Sequence, residues 1–182
     1  IHSFEPNKAE FEKISLKYSK SENIYVNNLG LGDKIERKEL NITAKSSNSS
    51  FNKINPNTEW LKKRSEQHKT TSAGYIKEKK FVEIDTLDNY VLKNDISNID
   101  LLKIDTQGYE DKVLEGSLST IKKNKIGIIF TEIMFDNVYE KYFSFSDLEK
   151  YLIPWNFRMV GIELSNNNLF SGLVFFADVM YF

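Results

Sequence analysis

The chain has 182 residues, 40% of them hydrophobic, with 13 Phe and 9 Tyr, which is enough for one folded unit with a sizeable core. A formal net charge of -1 gives no global pull toward nucleic acid or an anionic membrane, and the lack of Cys rules out disulfides, thiolate nucleophiles and Cys-based zinc sites. The first residues have no basic flank and long apolar stretch, and no later run could cross a bilayer, so a soluble, cytoplasmic protein without a membrane partner is expected.

Ile1 to Glu5 reads as a short strand stopped by Pro6, and Asn7 with Glu10 three residues on has the form of a helix start. Phe11, Ile14 and Tyr18 follow at helical spacing. Ile24 to Leu29 is the next strand, which Gly30 and Gly32 are expected to break. From Lys34 to Lys80 the pattern weakens. Arg37 to Thr43 can be a strand, Lys45 to Ser50 a polar loop and Thr58 to Gln67 a short helix carrying Trp60 and Leu61, so residues 34–80 read as an insertion or flap within a single domain over 1–182.

Regular structure resumes with a strand at Phe81 to Ile84, a helix at Leu87 to Leu92, and a strand at Ile99 to Asp105 that runs directly into a helix start. In that strand a period of two places Leu101, Lys103 and Asp105 on one face and Leu102 and Ile104 on the other. Asp105 can therefore serve a ligand, but it or Thr106 can equally cap the next helix, Glu110 can sit in that helix's positive first turn, and Lys103 can neutralise Asp105. The helix is read as continuous from Tyr109 to about Lys122.

Ile126 to Glu132 is an unbroken apolar run, as a strand covered on both faces requires, and it too ends on a carboxylate. Ser146 with Glu149 reads as a capping box for a helix through Leu152 that Pro154 closes. Phe157 to Leu164 and Leu169 to Phe182 then form an antiparallel hairpin across Ser165-Asn166-Asn167-Asn168, with Trp155, Phe157, Phe175, Phe176 and Tyr181 as its core. Alternating strands and helices give an α/β fold: a mostly parallel sheet, helices on both faces and a C-terminal antiparallel hairpin. Its crevice should lie at the carboxyl ends of the strands, gathering Glu5, Asn28, Asp105 and Glu132 along one rim.

Phe4-Glu5-Pro6-Asn7, Asn28-Leu29-Gly30-Leu31-Gly32-Asp33, Ser49-Ser50, Thr86-Leu87-Asp88, Lys103-Ile104-Asp105 with Gly108 and Glu110, and Glu132 resemble, in order and spacing, the FkbM-like methyltransferases. The resemblance implies a Rossmann-like fold and S-adenosylmethionine as cofactor. It implies Glu5 as the acceptor for the two ribose hydroxyls and Asn7, Asn28, Leu29 and Gly30 as further cofactor contacts. The 28–33 loop would pass the adenine, with Gly30 and Gly32 letting the backbone approach closely, and Asp105 would stand by the methionine end and the methyl acceptor. Two departures accompany it. The family carries one more strand and a Gly-rich loop ahead of the Phe4-Glu5 strand, so an N-terminally incomplete unit is expected, with a gap or a changed pairing between the strands that end at Glu5 and Asp105. Gln107 stands where the family usually has Glu, which removes a charge.

A hydroxyl acceptor needs a base or a metal, and Asp105 and Glu132 are the strand-end carboxylates placed to provide either, with Lys103 beside them. Oxygen ligands alone would suit Mg²⁺ rather than zinc, although no metal ligand set is assigned. The leading expectation is O-methylation of a hydroxyl on a sugar, glycan or small metabolite, with a possible homo-oligomer and no nucleic-acid partner. The alternative is a catalytically inactive methyltransferase-like binding module, favoured by the expected incomplete start and by Gln107. A dinucleotide or nucleotide-sugar binder is disfavoured because G-x-G-x-x-G does not occur. Lys62-Lys63-Arg64 reads as a solvated helix face and His68 as a loop residue.

Overall fold

The structure is a computed structural model that describes residues 1–165 and 174–182. Strand β1 (His2–Phe4) leads into helix α1 (Lys8–Lys17), where the Asn7 side chain accepts the Ala9 N–H as an N-cap, as its Asn-x-x-Glu pattern predicts. Strand β2 (Tyr25–Asn27) then pairs parallel with β1. Gly30 does not simply break the chain, because Gly30–Leu31 forms a two-residue strand, β3, parallel to a later strand.

The weakly patterned stretch contains strand β4 (Glu36–Thr43), helix α2 (Glu59–Gln67, capped by Thr58) and strand β5 (Ile76–Asp85). Strand β5 starts five residues before the apolar Phe81 to Ile84 core that marks it, because Ile76 to Lys80 pair antiparallel with β4 despite their charge. Trp60, Leu61, Tyr75 and Ile54 form a second small core with Val138, Tyr139 and Phe175, so this stretch is packed against the segment after residue 134.

Helix α3 (Leu87–Lys93) and strand β6 (Ile99–Ile104) follow. The helix expected from Tyr109 to Lys122 is two helices, α4 (Glu110–Glu115) and α5 (Leu118–Lys122). Asp88 forces the break: its backbone N–H donates to the Gly116 carbonyl, and its carboxylate accepts the Ser119 and Thr120 N–H groups at 2.8 and 2.7 Å, replacing helical partners.

Strand β7 (Ile126–Met134) alternates buried Ile129, Thr131 and Ile133 with half-buried Ile128, Phe130 and Glu132, so its apolar run is fully covered on one face only. Helix α6 (Phe145–Leu152) carries its capping box on Ser144 and Asp147, not on Ser146 and Glu149. Both pairs have the required spacing, and the frame that starts at Phe145 is the one that buries Leu148 and Leu152 completely. Pro154 lies in a single 3₁₀ turn after it. Strands β8 (Met159–Ser165) and β9 (Phe176–Tyr181) form the antiparallel hairpin. The turn read through Asn166, Asn167 and Asn168 lies outside the described residues, as does the strand start at Leu169.

The architecture is mixed α/β. Strands β6, β7, β9 and β8 lie side by side in that order, β6 and β7 parallel and the rest antiparallel. Leu102, Ile104, Ile129, Ile133, Ala177, Val179 and Tyr181 of this sheet pack with Leu87, Val91, Val113, Leu114, Ile121, Leu148 and Leu152 from helices α3 to α6. The opposite side chains of β6, Leu101 and Lys103, are exposed, so the surface that Lys103 shares is open rather than apolar and buried. Among the described strands β1 pairs only with β2 and β6 only with β7.

Candidate active site

Asp105 follows β6 directly, whereas Glu132 sits two residues inside β7 rather than at its end. The Gln107 side chain joins them: its Nε2 donates to Asp105 Oδ1 at 3.2 Å and to Glu132 Oε2 at 3.0 Å. Lys103 Nζ stands 3.4 Å from Asp105 Oδ2, and its charge opposes the upward shift that burial gives the Glu132 and Asp178 carboxyls. Asp178, which lies directly opposite Glu132 in the β7–β9 register, was not singled out from sequence; the antiparallel pairing of the terminal hairpin alone brings it here.

Burial, reinforced by the negative charges of Asp105, Glu110 and Asp178, pushes the Glu132 carboxyl up to about 8, with Lys103 acting against it. Burial also raises Asp178. A carboxyl poised near neutrality can both hold and release a proton under ordinary conditions.

The loop that carries Asp105 and Gln107 is wound around a buried acid. Glu110 Oε1 accepts the Thr106 N–H, the Thr106 hydroxyl and the Gly108 N–H at 2.9, 3.1 and 3.1 Å, so Glu110 organises the turn rather than only complementing a helix dipole. Gln107 and Gly108 take φ of 56° and 90°, and a Cβ on Gly108 would run into the Tyr139 ring. From the other side, Asn48 Nδ2 donates to Gln107 Oε1 at 3.1 Å, the Ser50 hydroxyl to the Gln107 carbonyl at 2.7 Å, and Asn52 Nδ2 to the Gly108 carbonyl. Neither Asn48 nor Asn52 was identified from sequence. The alternation Asn48-x-Ser50-x-Asn52 was the available signal, masked by the Ser/Asn-rich surroundings.

After β1, Glu5 Oε1 accepts the Asn7 N–H at 2.8 Å, while Oε2 has no protein partner among the described residues. Burial raises the Glu5 carboxyl and the Asn7 N–H opposes this. Of the other expected cofactor contacts, Asn7 is buried with its side-chain oxygen engaged in capping α1. Asn28 Nδ2 staples the carbonyls of Glu5 and Pro6 at 2.9 and 3.3 Å. Leu29 packs partly against the main core. Gly30 is buried, and the space above it is filled by Ile84 and Phe51; that above Gly32 is filled by Ile84 and Tyr109. Both glycines are thus required by packing within the chain, where an open backbone beside the adenine was expected. Glu5 is the residue of this group that presents an open acceptor, as a ribose diol requires. Ser46 hydrogen-bonds Glu10 on α1 while Asn48, two residues on, holds Gln107, so the 46–52 stretch touches both α1 and the turn after β6.

The fit to a metal is poorer. Among the described residues no group of three or more His, Asp or Glu could hold an ion, and two amide hydrogens already point at the Asp105–Glu132 pair. A hollow of about 330 Å³ lies elsewhere, beside α4 and α6, but its charges are matched internally: Lys141 with Asp111, Lys150 with Asp147, and the Tyr151 hydroxyl on Glu115. His68 ends α2 with its ring tilted against Tyr75.

The methyltransferase FkbM domain model matches residues 1–159. The chain belongs to the FkbM methyltransferase family. Its backbone also resembles the crystal structure of methyltransferase FkbM from Methylobacillus flagellatus KT, with a TM-score of 0.55 and 13% identity, over 100% of this chain and 36% of that one. At that identity the likeness bears on fold alone, and this FkbM-family chain spans about a third of that protein's length. No curated protein matches it. Among the described residues no helix is long and apolar enough to cross a membrane.

Proposed function

We propose that this FkbM-family chain is an S-adenosylmethionine-dependent O-methyltransferase acting on a hydroxyl of a sugar, glycan or other small metabolite. We further propose that it works in the cytoplasm, as one domain, without a nucleic-acid or membrane partner. The observation that carries the reading is the Asp105–Gln107–Glu132 bridge, in which a carboxyl raised to about 8 stands beside a second acid and Lys103.

Glu5 would hold the ribose through its open oxygen, with the Asn28 staple keeping that turn in place. Bound there, S-adenosylmethionine would supply an electrophilic methyl carbon, its thioether product being the leaving group. Glu132 would take the hydroxyl proton at Oε1, which has no protein partner among the described residues. Asp105 would orient the acceptor, held in place by Lys103 at 3.4 Å. Holding two reactants in place contributes up to about 7–11 kcal/mol to lowering the barrier in such reactions.

Calorimetry with S-adenosylmethionine and with its demethylated product tests this directly. Saturable binding that weakens in Glu5→Gln supports it. No binding by this chain, and none by the longest natural polypeptide that carries it, overturns it.

A further inference from the structure

The Gln107 amide is engaged at both of its atoms. Its oxygen accepts from Asn48 Nδ2 at 3.1 Å, so both hydrogens of its nitrogen are left for the acids, Asp105 at 3.2 Å and Glu132 at 3.0 Å. The backbone is held as tightly. Gln107 has φ 56°, a left-handed conformation that a non-glycine residue keeps only when its surroundings impose it, and the Ser50 and Asn52 side chains grip the two carbonyls at that turn.

Amide hydrogens aimed between two carboxylates do what a bridging cation would do, but as donors fixed in place. A Mg²⁺- or Mn²⁺-like ion needs several oxygen ligands in near-octahedral array. Here the inner lone pairs of both acids are taken by N–H groups, and an ammonium stands against the outer oxygen of Asp105. An acid at position 107 would reverse this, removing two donors and adding a third carboxylate while still accepting from Asn48.

We propose that Gln107 is a positioning residue that closes the Asp105–Glu132 pair to divalent cations, leaving Glu132 Oε1 for a proton-bearing group. The proton-bearing group rests on the methyltransferase reading given above; the closure to cations can be tested without it.

Titration of the purified chain with MnCl₂ alone, followed by calorimetry, decides the matter. Gln107→Glu should gain a saturable Mn²⁺ site at least tenfold tighter than any in the unaltered chain, and Gln107→Glu combined with Glu132→Gln should lose it. Equal Mn²⁺ affinity of the unaltered chain and a folded Gln107→Glu protein overturns the proposal. If Gln107→Glu does not fold, Gln107→Ala serves in its place by removing the donors without adding charge: Mn²⁺ affinity above that of the unaltered chain supports the proposal, and equal affinity overturns it. Failure of every form to bind S-adenosylmethionine, with the Mn²⁺ pattern as expected, counts against the methyltransferase reading and leaves the role of Gln107 standing.

Discussion

Gly116 lies so close to Gly32 that a Cβ added to it would fall inside the Gly32 carbonyl group. The contact joins the break between α4 and α5 to the turn after β3, where the Gly32 N–H donates to the Asp85 carbonyl. Backbone meeting backbone cannot be relieved by a rotamer change, so Gly116→Ala should destabilise the fold by about 3 kcal/mol or more. Urea unfolding monitored by circular dichroism checks this. A midpoint unchanged from the unaltered protein would show that the two turns are not in contact.

Asp88 acts on the same break. Its carboxylate accepts the Ser119 and Thr120 N–H groups and the Thr120 hydroxyl, the last at 2.6 Å. Asp88→Ala removes all three and should cost about 2–3 kcal/mol, with a smaller loss for Asp88→Asn, which keeps one acceptor. Hydrogen exchange should quicken first at Ser119 and Thr120; uniform quickening across the chain would contradict a local capping role.

The raised Glu132 carboxyl fixes a pH dependence. Its ordinary value is 4.5 and its folded value about 8, so between these limits the folded state holds a proton that the unfolded chain has released. Stability attributable to this group is complete below about pH 4.5 and declines as the pH rises toward 8. Glu132→Gln should flatten that decline in melting temperature measured across the interval. A proton acceptor, by contrast, is needed ionised, so methyl transfer should rise with pH up to about 8 and be lost in Glu132→Gln. A flat profile with turnover retained in the variant would remove Glu132 from the chemistry.

Glu5→Gln preserves shape and an oxygen for the Asn7 N–H. It gives up the charge that two hydroxyl donors would meet, so affinity for S-adenosylmethionine should fall about tenfold or more, with stability changed by about 0.5 kcal/mol or less. A large fall in melting temperature with affinity intact would make Glu5 a structural residue of the β1 turn.

Much of the architecture was legible because it rests on local rules. Asn7 and Thr58 announce their helices by capping chemistry, and Leu102 and Ile104 alternate with Leu101 and Lys103 as a strand with one face buried must. What escaped depends on contacts distant in the chain. The break at Gly116 is dictated by Asp88 and Gly32, and nothing within residues 109–122 beyond one glycine marks it. Ser144 and Ser146 offer overlapping capping frames, and the burial of Leu148 and Leu152 selects between them. The site divided in the same way. Asp105 follows from the end of β6 and Lys103 from the alternation within it, and Glu132 was marked by its apolar run although it lies inside β7, whereas Asn48, Asn52 and Asp178 arrive through side-chain amides and an antiparallel register that no short motif records.

The hydrogen bond between Asn48 and Gln107 ties together positions 59 residues apart. Position 107 is not free to drift from Asn48: an acid there would still accept that bond and so still call for Asn48, and loss of Asn48 would let the Gln107 amide swing away from both carboxylates. Substitutions at 48 and 107 should therefore be inherited as a couple, and the pair of letters at those positions should sort natural relatives by how they manage charge beside Glu132.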